Sequence, residues 1–127
     1  MFEVGVASSF EAVHRLEDGE ALAGERHDHE YRVELSVRGD ALADNGMLLD
    51  LDRLAAALST CVGELASSDL DDLPMFGGEA TTVEMVAEHI WSHVRSELAE
   101  QPGLRALRVT VFESPDAWAS LDRALET

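Results

Sequence analysis

Lysine is absent from this chain. All nine basic residues are arginine, and 26 acidic residues set against them leave a formal charge of −17. A surface this acidic repels phosphate backbones and anionic bilayers at long range, so general nucleic-acid binding and docking to anionic membranes are disfavoured. Cysteine is nearly absent as well: a single Cys61 excludes an intramolecular disulfide and any multi-cysteine zinc module. Long apolar runs are missing, none approaching the roughly 20 residues of a spanning helix. The opening Met1-Phe2-Glu3-Val4 has neither the basic region nor the apolar stretch of a secretory signal. No repeat, low-complexity tract or linker divides the 127 residues, and 46% of them are hydrophobic, enough for one packed core. The expectation is a single acidic, cytoplasmic domain spanning residues 1–127.

The apolar pattern supplies the elements. Phe2, Val4 and Val6 alternate within Met1–Phe10, which reads as a strand. Glu17–Arg26 is a polar loop. Tyr31, Val33, Leu35 and Val37 alternate with Arg32, Glu34, Ser36 and Arg38 in the clearest amphipathic strand of the sequence. Asp44-Asn45-Gly46 is a turn. Leu51, Leu54, Ala55, Leu58, Val62 and Leu65 recur at helical spacing from about Leu49 to Leu65. After Pro74 and Gly77-Gly78, Thr81 or Thr82 with Glu84 marks a helix entry, and Val83, Val86, Ala87, Ile90, Trp91 and Val94 carry a stripe to about Leu98. Leu107, Val109 and Val111 form a third strand that ends at Ser114-Pro115. The tail, Ala117–Leu125, suits either a last strand or a short helix. This order implies an α+β fold, one four-stranded antiparallel sheet with two helices on one face. Such a sheet has exposed edges, which favour pairing with another copy.

The histidines carry the most chemistry. His27 and His29 are two apart at the start of the best strand, a spacing that puts both on one face. His14 lies just past the expected end of the first strand and approaches them if the two strands form a hairpin. Three neutral imidazoles with an open fourth position make a catalytic-type zinc shell; surface histidines at strand ends fit the same pattern. His89 and His93, four apart on the second helix, have a metal-gripping spacing too, but the adjoining Ile90, Trp91 and Val94 assign them to the solvent side. Cys61, inside an apolar stripe, reads as a buried structural thiol.

Several segments resemble one known family. Phe10-Glu11-Ala12-Val13-His14-Arg15-Leu16 and His27-Asp28-His29-Glu30-Tyr31-Arg32-Val33 are similar to the metal motif of the 6-pyruvoyltetrahydropterin and 6-carboxytetrahydropterin synthases. Gly46-Met47-Leu48-Leu49-Asp50-Leu51 resembles the family's entry into its first helix. Asp72-Leu73-Pro74-Met75-Phe76, Thr82-Val83-Glu84 and His89-Ile90-Trp91 resemble its second helix and the preceding loop, and Val111-Phe112-Glu113-Ser114 resembles its late strand. The resemblance implies the tunnelling fold, with sheets joined into a barrel, two trimers stacked as a hexamer, and sites between subunits. It implies a Zn2+ ion held by His14, His27 and His29. It implies a pterin-like substrate whose amino-pyrimidine edge is anchored by Glu113, with Thr82 near the same pocket. A carboxylate suits that anchor because it accepts two parallel hydrogen bonds from adjacent ring donors.

The chain departs from the family at the proton-transfer groups. The loop before His27 reads Gly19-Glu20-Ala21-Leu22-Ala23-Gly24-Glu25-Arg26, without the family's cysteine. The family's leucine-aspartate-histidine segment falls on Leu65-Ala66-Ser67. Some members use a glutamate in place of the cysteine, which makes Glu25 the candidate base, with Glu20 on the same loop; solvated acidic loop residues fit the same positions. Asp69, Asp71 and Asp72 follow the altered segment and are further candidate substitutes; a solvated acidic run fits these positions too. The expected activity is a zinc-dependent lyase acting on a pterin-like molecule by side-chain cleavage or a tailoring step; the alternative is a non-catalytic pterin- or metal-binding oligomer. Arg15, Arg26 and Arg32 flank the metal motif but are outnumbered by Glu17, Asp18, Glu20 and Glu25, which favours a dephosphorylated pterin over a triphosphate.

Overall fold

The computed structural model describes residues 1–15, 26–77 and 81–125. Strands β1 (Phe2–Arg15) and β2 (Arg26–Gly39) are followed by helices α1 (Leu51–Leu65) and α2 (Val83–Glu97), then by β3 (Leu104–Ser114) and β4 (Ala117–Ala124). Two short 3-10 turns, Leu70–Asp72 and Pro74–Phe76, lie between the helices. The strands form one antiparallel sheet in the order β1-β2-β3-β4, so each pairs with its neighbour in sequence. The α+β expectation holds, and the tail resolves as a strand because Ala117, Ala119 and Leu121 alternate with the more exposed Trp118, Ser120 and Asp122. Among the described residues no helix is long and apolar enough to cross a membrane.

Alternation decides which face of the sheet is covered. Phe10, Ala12, Tyr31, Val33, Leu35, Val37, Leu107, Val109 and Val111 are buried against the helices. From α1 they receive Leu54, Ala57, Leu58, Cys61, Val62 and Leu65, and from α2 they receive Val86, Ala87, Ile90, Trp91 and Val94. Trp91 also donates its indole N–H to the Leu107 carbonyl at 2.8 Å, tying α2 to the sheet with a satisfied polar group. The uncovered face carries polar side chains: Arg38 forks onto Asp122 through two 3.0 Å bonds, Arg108 bonds Glu3, and Thr110 meets Ser120 at 3.0 Å.

Three boundaries differ from the periodicity. First, β1 runs to Arg15, so His14 sits inside the strand; its far end is stabilised by backbone partners that hydrophobic alternation does not register. Val13 donates to the Ser68 carbonyl at 2.9 Å, and Ser67 donates to the Glu11 carbonyl at 2.6 Å. Second, Arg26 begins β2 instead of closing the loop before it. Third, α1 starts at Leu51 because the Asp50 carboxylate accepts from the Asp52 N–H and caps the helix. The buried stripe of α1 consequently passes through Ala57 and Cys61, leaving Leu51 and Ala55 exposed.

Candidate functional site

The hairpin expected from the sequence forms in register. His14 pairs with His27 across β1 and β2, and Ala12 pairs with His29. Positions 14, 27 and 29 fall in the same alternating sets as Phe10, Ala12 and Tyr31, the residues that face the helices. The backbone thus gathers the three histidine positions at one end of the covered face, beyond the last hydrophobic layer. Their side chains lie outside the described residues, as do Glu20 and Glu25 entirely. Among the described residues no group of three or more His, Cys, Asp or Glu is arranged to hold a metal ion.

The segment after α1 runs along β1 beside the histidine positions. Ala66 closes the helix with an N–H to the Val62 carbonyl, and Ser67 then adopts a left-handed φ of 57°. That conformation is uncommon for a residue with a Cβ. It turns the chain so that Ser67 and Ser68 bond β1 and Asp69 forms a parallel bridge to Val13. Leu65-Ala66-Ser67 therefore stands against the metal-motif strand although its side chains supply no proton-transfer group. Asp69 caps the first 3-10 turn, its carboxylate accepting from the Asp71 N–H at 3.1 Å.

A buried polar cluster lies next to this segment. Glu113, half-buried, follows Phe112, which pairs with Arg32; the antiparallel register brings it beside Tyr31. Tyr31 is only 1% exposed and stacks on Phe10 with ring centroids 5.1 Å apart. Burial raises the Tyr31 pKa, and the nearby carboxylates of Glu113 and Asp71 raise it further, so the phenol keeps its proton and is a hydrogen-bond donor. Asp71, expected in a solvated run, is 4% exposed and accepts from the Thr81 N–H at 2.7 Å; Thr81 is itself buried. Its neighbour Asp72 is exposed, as the loop reading has it, and Asp69 is half-buried. Thr82 stands at the mouth of α2, where its hydroxyl accepts from the Met85 N–H at 3.2 Å. Sequence reasoning missed Tyr31, and for Asp71, one of the candidate substitutes, it did not foresee the burial. The available signal was the chain's sole tyrosine placed two residues after His29.

His89 and His93 differ from their expected solvent-side placement. Both are half-buried, and the Nε2 atom of each is buried with no hydrogen-bond partner among the described residues. The His89 Nε2 lies 3.9 Å from the Glu64 carboxylate of α1, and its ring meets Phe76 edge-on at 5.7 Å. A helical wheel locates the sheet-facing stripe but does not show that α1 covers the flank beside it. Burial lowers the His89 pKa, Glu64 opposes that shift, and His93 adds to it. Cys61 is fully buried, and burial, with help from Glu64, pushes its thiol up to about 12; it is the inert structural thiol expected.

Comparison with known proteins bears on this arrangement. The family described as 6-pyruvoyl tetrahydropterin synthase matches residues 3–124. The 6-pyruvoyl tetrahydrobiopterin synthase of Drosophila melanogaster is 31% identical over 121 residues, covering 84% of this chain and 71% of the relative. The Homo sapiens protein of the same name is 31% identical over 104 residues, covering 71% and 72%. In three dimensions the chain is similar to the crystal structure of 6-pyruvoyl tetrahydropterin synthase from Plasmodium vivax, with a TM-score of 0.82 at 19% identity, covering 97% of this chain and 98% of that one. The same Plasmodium vivax protein has also been solved with alanine replacing a glutamate named as a catalytic residue. The fold is the tunnelling fold of these synthases, and the chain belongs to the 6-pyruvoyl tetrahydropterin synthase family.

Proposed function

We propose that this chain is a pterin-acting lyase in which His14, His27 and His29 would hold a zinc ion and Glu113 receives the amino-pyrimidine edge of the substrate. Family membership supports a pterin-related lyase. The observation that carries the finer reading is the strand register: His14 opposite His27, His29 in the same alternating set, and Glu113 one step along the sheet beside Tyr31. Three imidazoles on two paired strands fit a three-histidine shell, and bound zinc supplies a Lewis acid for side-chain oxygens.

The chain's own groups narrow the reaction. Glu113 orients the ring by accepting two hydrogen bonds, and Thr82 borders the same pocket. Without the family's cysteine and with Ala66-Ser67 after the first helix, Glu25 is the base. The glutamate named as catalytic in the Plasmodium vivax relative supports a carboxylate in that role. A base of this kind removes the proton from the second side-chain hydroxyl of a dihydroneopterin. The bond between the first and second side-chain carbons then breaks, an aldehyde leaves, and the electron pair passes into the ring imine before the first carbon is reprotonated. The active form is a homo-oligomer, a dimer of trimers, in which the unpaired edges of β1 and β4 are covered by neighbouring copies.

The test is to incubate the zinc-loaded protein with 7,8-dihydroneopterin and, separately, its triphosphate. Release of a two-carbon aldehyde from the former is the expected result; a 6-pyruvoyl or 6-carboxy product from the latter refutes it and restores the ordinary synthase reaction. The missing cysteine, aspartate and histidine favour one second reading, a non-catalytic pterin- or metal-binding oligomer, which predicts pterin binding with no product from either compound.

A further inference from the structure

Two of the chain's four methionines meet at one cleft. The cleft, of about 320 Å³, lies between the second 3-10 turn and α2, where Met75, Met85 and His89 line it together with Phe76, Glu84 and Glu88. Met85 and His89 are four apart on α2, a spacing that sets their side chains one above the other on the same side of the helix. Met75 comes from the turn that Pro74 opens and Gly77 closes, and it is 40% exposed. Its neighbour Phe76 is buried and meets the His89 ring edge-on at 5.7 Å, which fixes the imidazole against the cleft wall.

We propose that Met75, Met85 and His89 form a site for a soft monovalent cation, copper(I) or its redox-inert analogue silver(I). Thioether sulfur is uncharged and polarizable, a poor ligand for magnesium or calcium and a good one for copper(I), which imidazole also suits. Among the described residues no three His, Cys, Asp or Glu side chains are arranged to hold a metal ion, so the two thioethers set the preference here. The surroundings of His89 fit a ligand. Its Nε2 is buried, has no hydrogen-bond partner among the described residues and faces the Glu64 carboxylate at 3.9 Å. A carboxylate facing one ring nitrogen favours the proton there and leaves the lone pair of the other, Nδ1, for an ion. Burial lowers the His89 pKa and so favours the neutral imidazole, the form that ligates. Glu84 and Glu88, both exposed on the rim, add a negative potential that concentrates cations at the cleft. The site shares no residue with the three-histidine centre and rests on neither the zinc nor the pterin reading.

The experiment titrates the full chain with copper(I), without oxygen, in competition with the chromogenic chelator bicinchoninate. Wild type should take one copper(I) per chain from the chelator and keep its zinc content. Met75→Leu and Met85→Leu hold the apolar volume nearly constant and should each weaken binding about tenfold, with the melting temperature unchanged. His89→Gln should weaken it similarly, and the double variant Met75→Leu/Met85→Leu should lose it. Met47→Leu, at an exposed methionine outside the cleft, and Cys61→Ala should bind as wild type does. X-ray absorption of the copper-loaded wild type, which needs no variant to fold, should show two sulfur neighbours and one nitrogen. No competition with the chelator overturns the inference, as does full binding by the double variant. Loss of binding in Cys61→Ala overturns it by placing the ion on the thiol. A copper ion with only nitrogen and oxygen neighbours overturns it by placing the ion on histidines or carboxylates elsewhere.

Discussion

Replacing Asp71 by alanine tests whether the loop between the helices is held by one buried charge. The carboxylate accepts from the Thr81 N–H at 2.7 Å, and both residues are under 5% exposed. A hydrogen bond to a charged acceptor contributes about 1.5–3 kcal/mol, and leaving a buried donor unsatisfied moves the loss toward the upper end. The expectation is a loss of about 2 kcal/mol, or about 6–10 °C in melting temperature for a chain of this size. Asp71→Asn, which preserves an acceptor, should lose less than half as much. Urea unfolding at fixed protein concentration and salt is the assay, with the slope against denaturant expected to stay constant. A loss for Asp71→Ala below about 0.5 kcal/mol, the range of ordinary surface substitutions, would refute the anchoring argument. So would an Asn variant as unstable as the Ala variant, because the acceptor would then be irrelevant.

Metal analysis of protein purified without chelator should give one zinc per chain, lost in His27→Ala or His29→Ala and kept in His89→Ala. Zinc affinity should fall below about pH 6 as the imidazoles protonate. His89 gives an acid-sensitivity prediction of definite sign: burial lowers its pKa in the folded chain, so the unfolded chain binds the proton more readily. Stability is therefore retained above the unfolded histidine value of about 6.5 and lost as pH falls through the folded value. His89→Gln should reduce the difference between urea midpoints at pH 7.5 and pH 5.5, and an unchanged difference would place the acid sensitivity elsewhere. Calorimetry should show neopterin binding more tightly than its triphosphate, since acidic residues outnumber arginines around the metal motif. Sedimentation should show a trimer or hexamer that weakens at low salt, because each copy brings a formal charge of −17; a compact monomer at micromolar concentration would contradict the edge-pairing argument.

Local pattern was sufficient for most of the architecture. Period-two alternation in Tyr31–Val37 and Leu107–Val111 identified the central strands, because a sheet covered on one face demands apolar residues at every second position. The cap at Thr82, one of the two threonines expected at the α2 entry, follows from a side-chain oxygen bonding an amide three residues on. His14, His27 and His29 were likewise legible, since spacing along a strand and a short connection fix their juxtaposition. The family motifs that embed these residues made the fold assignment firm.

Only the tertiary structure decided what depends on chain segments distant in sequence. β1 extends to Arg15 because β2 pairs with it as far as Arg26, and Ser67 and Ser68, more than 50 residues later, bond its other edge at Glu11 and Val13; no pattern within the strand encodes that. Asp71 in an acidic run looks solvated until Thr81 arrives to bond it, and Tyr31 looks like one more core residue until β3 brings Glu113 alongside. The apolar stripe of α2 alone points His89 and His93 to solvent, yet both are half-buried, His89 with Glu64 of α1 at 3.9 Å. Hydrophobic periodicity reports which way a side chain leans from its own element. Burial of a polar group, and the partner that makes burial tolerable, are properties of the packed whole.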